Sequence, residues 1–256
     1  MNIQVLIAAV GQKPRELAAQ MNIASDAIII NQDDHFAYEE FAIGAAKIKA
    51  YTFAERGVGL SRNNALLRAE ADLVLFSDED IVLTSGYGAA ISSEFAAHPE
   101  ADMILFNVAV DERRRTYENT SFKRVRWHNY GRYPAYSIAA RTARLHSANV
   151  TFSLLFGGGA KYSSGEDGLF LHDCLKKGLK IYASPIWIGS ETYRESTWFR
   201  GYNEKFFYDR GVIYRHLYGK MAKVLAFRFL WVKRREMCRE IGFGQAYRLM
   251  KQGTDA

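Results

Sequence analysis

Cysteine is nearly absent from this chain: Cys174 and Cys238 are the only two, far apart and in no ligand-like spacing. They suggest neither a disulfide framework nor a zinc site, and such usage suits a reducing compartment. Long apolar runs are missing too, and no uninterrupted stretch reaches the length that a bilayer crossing requires. The opening residues, MNIQVLIAAVG, carry no basic leader ahead of their short apolar run, so they read as a buried first strand and not as a signal peptide. The expected location is the cytoplasm. No nucleic-acid-binding module is recognisable, and the acidic residues cluster where a nucleic-acid groove would need positive charge, which sets nucleic acid aside as a partner.

What the chain does have is enough apolar material for a sizeable core. Its 256 residues are 48% hydrophobic and 14% aromatic, which fits one large domain or one domain with an appendage. Lys and Arg number 34 against 28 Asp and Glu, a net charge of +6, so anionic partners such as nucleotides or phospholipid headgroups are favoured. One stretch runs against that basic background. In LVLFSDED, residues 73 to 80, an apolar run breaks into Ser77, Asp78, Glu79 and Asp80, then turns apolar again at Ile81. Three consecutive carboxylates repel one another and raise each other's pKa unless a cation or a set of donors compensates them. A divalent ion that also holds phosphate oxygens would do so. An acidic turn at a strand end is the plainer reading.

Taken in order, Val5 to Val10 reads as a strand, followed by a helix opening at Pro14 and running through Leu17 to Met21. Ala27 to Ile30 is a second continuous apolar run. Runs of this kind, separated by helices, belong to a parallel sheet covered on both faces. The second run ends in Asn31, Gln32, Asp33 and Asp34, at the strand edge where open α/β sheets bind ligands. Lys47 to Phe53 is a weaker strand. Gly57 and Gly59 then give a permissive loop, and Ser61 is the expected N-cap of a helix through Leu66, Leu67 and Ala71, which places Arg62 and Asn63 in the first turn, where an anion is favoured. A dinucleotide fingerprint is not formed, because its third glycine is missing. Met103 to Val110 and Tyr182 to Ile188 are further strands. Gly157-Gly158-Gly159 reads as a loop, and Glu166 and Asp167 stand just ahead of a helix from Leu169 to Lys177, where acids also serve as caps.

These features, in this order and spacing, carry a resemblance. The amide and acid cluster at 31 to 34, Gly57 with Arg62-Asn63, the strand ending in Asp78-Glu79-Asp80, Gly165-Glu166-Asp167, and the aromatic TWFRGYNEKFF at 197 to 207 together resemble family 2 inverting glycosyltransferases of the A-type fold, over roughly residues 1 to 207. The resemblance implies an α/β fold with a single, mostly parallel central sheet flanked by helices. It implies transfer of a sugar from a nucleotide-diphosphate donor, UDP first and dTDP or GDP as alternatives, to a saccharide acceptor during bacterial cell-surface polysaccharide assembly. In that frame Asp80 would ligate Mn²⁺ or Mg²⁺ at the diphosphate, and Asp78 would contact ribose or metal. Arg62 would lie on the nucleotide side. Asp167 would be the general base, with Glu166 as fallback. Glu79, pointing the other way along an extended segment, is expected to tolerate replacement. The chain departs from the family pattern where paired aspartates read the base; here Asn31, Gln32 and Asp33 share that duty, since an amide can also pair with a pyrimidine edge. His172 and His216 are candidates for a third protein ligand to the metal.

Two regions stay open. Residues 112 to 133, with Arg113, Arg114, Arg115, Lys123, Arg124 and Arg126 among aromatics, suit the acceptor side or a solvated hairpin equally. Residues 212 to 239 read as a basic amphipathic helix that ends in Lys233-Arg234-Arg235 beside Trp231, which suits the surface of an anionic membrane; packing on the catalytic domain or on a second subunit competes with that reading. Membrane attachment would be coherent with a polyprenyl-linked acceptor, at the inner face of the cytoplasmic membrane. The expected division is a catalytic domain over 1–207 and a basic helical tail over 208–256. Outside this frame, a sugar nucleotidyltransferase and a non-enzymatic basic membrane- or nucleic-acid-binding protein remain as alternatives. Neither the oligomeric state nor the donor sugar can be read from the residues.

Overall fold

The structure, a computed structural model, describes residues 1–112, 114–192 and 201–256; Arg113 and the Thr197–Arg200 part of the aromatic segment lie outside them. The chain enters through β1 (Ile3–Val10), buried at every position but the last. Pro14 opens α1 (Pro14–Gln20) in the first turn, where a missing N–H costs nothing. Next comes β2 (Asp26–Gln32), parallel to β1 with Val5 opposite Ala27. A hairpin of β3 (Ala37–Ile43) and β4 (Ala46–Phe53) follows, β4 lying parallel to β2. Helix α2 (Val58–Leu67) then leads into β5 (Leu73–Asp78), which pairs with the other side of β1 and sets Asp78 opposite Ala8.

Thereafter come β6 (Ile81–Leu83), α3 (Tyr87–Ala97), β7 (Met103–Ala109), the two-residue β8 (Lys123–Arg124), β9 (Ile138–Arg141), α4 (Thr142–Ala148), α5 (Glu166–Lys176) and β10 (Ile181–Glu191). The strands form one mixed sheet in the order β3-β4-β2-β1-β5-β9-β7-β10-β6, with β8 beside β10. Its nucleus, β4-β2-β1-β5, is parallel, and β7 and β10 are parallel to each other. Short β9 wedges between these two groups, antiparallel to both neighbours. Alternate residues of β1 serve two cores: Val5 and Ile7 face Leu17, Tyr87 and Phe95, while Leu6 faces Phe76, Phe152 and Phe170. Covering both faces is why these strands are apolar throughout.

The helix at 58 departs from expectation. Its N-cap is Gly57, at φ +133, and Ser61 is fully buried inside the helix. Arg62 therefore sits in the second turn, away from the free amides at the helix start. Past the arginines the chain is pinned at Tyr117 and Asn119: Tyr117 Oη donates to Phe106 O at 2.8 Å, and Asn119 and Asn107 exchange buried hydrogen bonds.

The C-terminal part holds three helices, α6 (Glu204–Tyr218), α7 (Ala222–Met237) and α8 (Phe243–Thr254). The expected continuous helix over 212–239 is broken at Gly219, whose φ of +51 and ψ of −119 lie outside helical space, and α6 crosses the expected boundary at 207. The three helices share a core of Phe207, Ala226, Leu230, Met237, Ala246 and Met250. Through Val212 and Ile213, α6 also packs on Phe156, Tyr162 and Leu169. Among the described residues, no helix is long and apolar enough to cross a membrane.

Candidate active site

Strands β1, β2 and β5 run in parallel, so their carboxyl ends meet at one edge of the sheet, and there the polar residues gather. Arg62 is the centre of the cluster. Its Nη2 donates to Asp78 Oδ1 at 2.8 Å and its Nη1 to Asp167 Oδ1 at 2.8 Å, with Glu166 Oε1 at 3.5 Å. Only 4% of the arginine side chain is exposed, and its guanidinium lies 5.2 Å from the Phe152 ring centroid. Burial by itself would lower the guanidinium pKa; Asp78, Asp167 and Glu166 override it and hold the group firmly charged. One cation thus ties together two acidic motifs that lie 89 positions apart, Asp78 and Asp167.

The acids outnumber their compensation. Burial pushes the Asp167 carboxyl up to about 7, with Arg62 pulling it down and Glu166 and Asp78 pushing it further up. Asp80 is raised to about 6, first by burial and then by the charges of Asp78 and Glu191. Its carboxylate has no cationic partner among the described residues. Such a half-buried, uncompensated acid beside another fits a hard divalent cation. Glu191, at the end of β10, faces this group because antiparallel pairing sets it opposite Ile81; burial raises its pKa even though Arg114 sits 2.9 Å away. From the next residue, Thr192 N and Oγ1 both donate to Asp80 O at 2.8 Å. Nothing local in the sequence marks Glu191, because its place beside Asp80 comes from a strand pairing across 110 positions.

At the nucleotide end the three candidates separate. Asn31 is occupied on both sides of its amide: Oδ1 accepts from Gln12 N and Nδ2 donates to Gln12 O, each at 3.0 Å. Gln32 Oε1 accepts from Gly57 N at 2.6 Å. These two amides fasten the loops after β1 and before α2. Asp33 keeps open acceptor capacity and, with Asn31, lines a cavity of about 500 Å³ that also touches Gly11, Lys13, His35 and Thr52. Glu79 lies in the turn that follows β5 and not on an extended segment, and its Oε2 accepts from Val10 N at 2.8 Å.

The histidines lie elsewhere. His172 packs on Trp127 and Tyr130, and His216 packs on Phe156 while its Nδ1 sits 3.0 Å from Val212 O. Among the described residues, the group that converges as three metal-capable side chains is Asp33, Asp34 and His35, with ligand atoms within 4.8 Å of one another. Asp34 is almost fully exposed, and the three are consecutive residues of a turn, where water satisfies carboxylates without an ion.

No family model matches the chain, and no curated protein matches it. Solved structures do. Residues 1–349 of S. aureus TarS in complex with UDP-GlcNAc superpose with a TM-score of 0.61 at 17% identity, covering 94% of this chain and 74% of that one. The UDP complex of the same fragment gives 0.61 at 16% identity. A longer TarS structure gives 0.56 at 17%, of which 44% is covered. The chain has the A-type glycosyltransferase fold. In an A-type sheet, the carboxyl edge that carries Asp33, Asp78 and Asp80 is the ligand edge expected of open α/β folds.

Proposed function

We propose that this protein is an inverting glycosyltransferase that moves a sugar from a nucleotide-diphosphate donor, UDP-linked first, to a saccharide acceptor in cell-surface polysaccharide synthesis. The observation that carries the reading is the Arg62 bridge, because it sets the acid of one motif against the acid of the other across a single guanidinium. The likeness to structures crystallised with UDP-GlcNAc and UDP supports the donor class.

In this reading Asp33 reads the nucleobase edge. Asp80 and Asp78 would hold Mn²⁺ or Mg²⁺, which would supply Lewis-acid stabilisation to the departing diphosphate. Asp167 takes the proton from the acceptor hydroxyl as that oxygen attacks the anomeric carbon from the face opposite the leaving group. A carboxyl raised by burial above the ordinary aspartate range is a stronger base than an ordinary aspartate. Arg62 keeps that carboxylate aimed while it is ionised. Glu166, at 3.5 Å from the same nitrogen, is the secondary candidate. The catalytic domain spans about residues 1–207, and the helices beyond it bring the protein to the inner face of a membrane that carries a polyprenyl-linked acceptor.

The deciding experiment is Asp167→Asn with a panel of nucleotide sugars. Transfer should fall by about three orders of magnitude or more, as expected for loss of a general base together with its ion pair, while donor-induced thermal stabilisation in Mn²⁺ persists. Wild-type-like turnover of that variant removes Asp167 as the base. Failure of every nucleotide sugar to stabilise the wild type counts against the whole assignment.

A further inference from the structure

Outside the carboxylate cluster, one buried acid takes no part in the chemistry above. Asp209, on α6, is 2% exposed. It accepts from Ser163 N and Ser163 Oγ, both at 2.9 Å, and pairs with Lys205, whose ammonium also donates to Lys161 O at 3.0 Å. One turn further along, Ile213 lies against Gly165. A Cβ at Gly165 would come within 2.6 Å of Ile213 Cδ1, and its φ of +113 is one that side-chain-bearing residues rarely adopt. Val212 and Ile213 bury themselves with Phe156, Tyr162 and Leu169.

All these contacts fall on residues 156–169, the segment that delivers Glu166 and Asp167 at the start of α5. The segment is also held by α2, where Val58 N donates to Gly158 O at 2.9 Å, and α2 also carries Arg62. Two helices therefore fasten it. A carboxylate without donors in such a place would be costly, so Asp209 fixes Ser163 firmly, and the base stands four residues later.

We infer that α6 is a positioning element for the base, with Asp209 and Ile213 as its working contacts; this rests on reading Asp167 as that base. The C-terminal helices thus contribute to the chemistry and are more than an appendage. Displacement of a reacting group by about 1 Å can cost roughly 100-fold in rate, so loosening Ser163 should lower turnover while the donor, held by other elements, still binds.

The test compares Asp209→Ala, Asp209→Asn and Ile213→Ala with Leu230→Ala, which weakens the helical core away from residues 156–169. Asp209→Ala should lower kcat by about 10- to 100-fold with donor KM within about two-fold. Asp209→Asn should fall less, because its amide oxygen can still accept from Ser163 N. Hydrogen exchange at 160–170 should rise in the Asp209 and Ile213 variants and not in Leu230→Ala. Should Asp209→Ala not fold, Ile213→Ala carries the same comparison. Unchanged exchange at 160–170, or an equal loss of kcat in Leu230→Ala at matched Tm, overturns the inference. Increased exchange in a protein that transfers no sugar from any donor would instead leave the positioning intact and sink the assignment of the reaction.

Discussion

At the scale of single residues, the acids of the site should make stability depend on pH in a predictable sense. Asp80 has a pKa of about 6 in the folded chain against 3.8 for an ordinary aspartate, so the folded state holds this proton more tightly than the unfolded chain does. Its contribution to stability is complete below about pH 4 and is lost as pH rises through 6. In chelator, Asp80→Asn should therefore melt higher than wild type at pH 8, by about 1–2 kcal/mol after allowance for solvent screening, and the gain should vanish near pH 4; thermal melts at the two pH values decide this, and equal melting points at pH 8 contradict it. Arg62→Lys should be far from conservative, because an ammonium cannot span Asp78 and Asp167 as the fork of a guanidinium does. A loss of transfer of about 100-fold or more is expected in steady-state assays. Asp78 and Asp80 were legible in the sequence because an apolar run breaking into acids needs a cause, and Asp167 through the resemblance carried by Gly165-Glu166-Asp167. The bridge between them was not, because Arg62 was placed one turn too early. That error came from taking Ser61 as the cap, when Gly57, free to adopt positive φ, starts the helix sooner.

At the scale of elements, legibility followed burial. Strands covered on both faces, β1, β2, β5 and β7, announce themselves as continuous apolar runs and were found to within a few residues. Edge and wedge strands do not: β3 alternates Ala, Tyr, Glu, Glu, Phe with much of its length exposed, and β9 is four residues long. The helix contacts of the C-terminal part were hidden for another reason. Glycine inside a helix is ordinarily weakening, yet Gly211 and Gly253 let α6 and α8 touch at the backbone, since a Cβ at Gly211 would lie 2.1 Å from Met250 O. Gly211→Ala must force those helices apart. It should lower stability by about 2–3 kcal/mol, in the range of other overpacking changes, as read by chemical denaturation; a loss no larger than that from alanine at an exposed site on α7 would mean the contact yields easily.

At the scale of the whole molecule, charge is distributed unevenly, and this bears on which surfaces the protein can meet. Residues 204–256 carry 12 Lys and Arg against 5 Asp and Glu, a net of +7, while the preceding 203 residues carry 22 against 23. The basic excess of the chain therefore belongs to its last three helices. On α7, Ala222, Ala226 and Leu230 turn inward, whereas Val224, Phe227, Trp231 and Val232 are exposed among Lys223, Arg228 and Arg235. Phe227 and Trp231 are backed by Phe243 and Tyr247 from α8, at centroid distances of 5.3 to 5.8 Å. Exposed aromatics ringed by cations are what the headgroup region of an anionic bilayer accommodates, with each basic residue near the surface contributing about 1 kcal/mol. The protein should accordingly sediment with vesicles of 30% phosphatidylglycerol in phosphatidylcholine at about 0.1 M salt, and be released at about 0.5 M as the Debye length shortens. Replacing Phe227 and Trp231 together by alanine should weaken binding at both salt concentrations, because it removes apolar insertion and leaves the charge in place. Binding that responds to salt but not to that double substitution would show that the helices meet polyanions through charge alone, and the aromatic face would then need a protein neighbour to cover it.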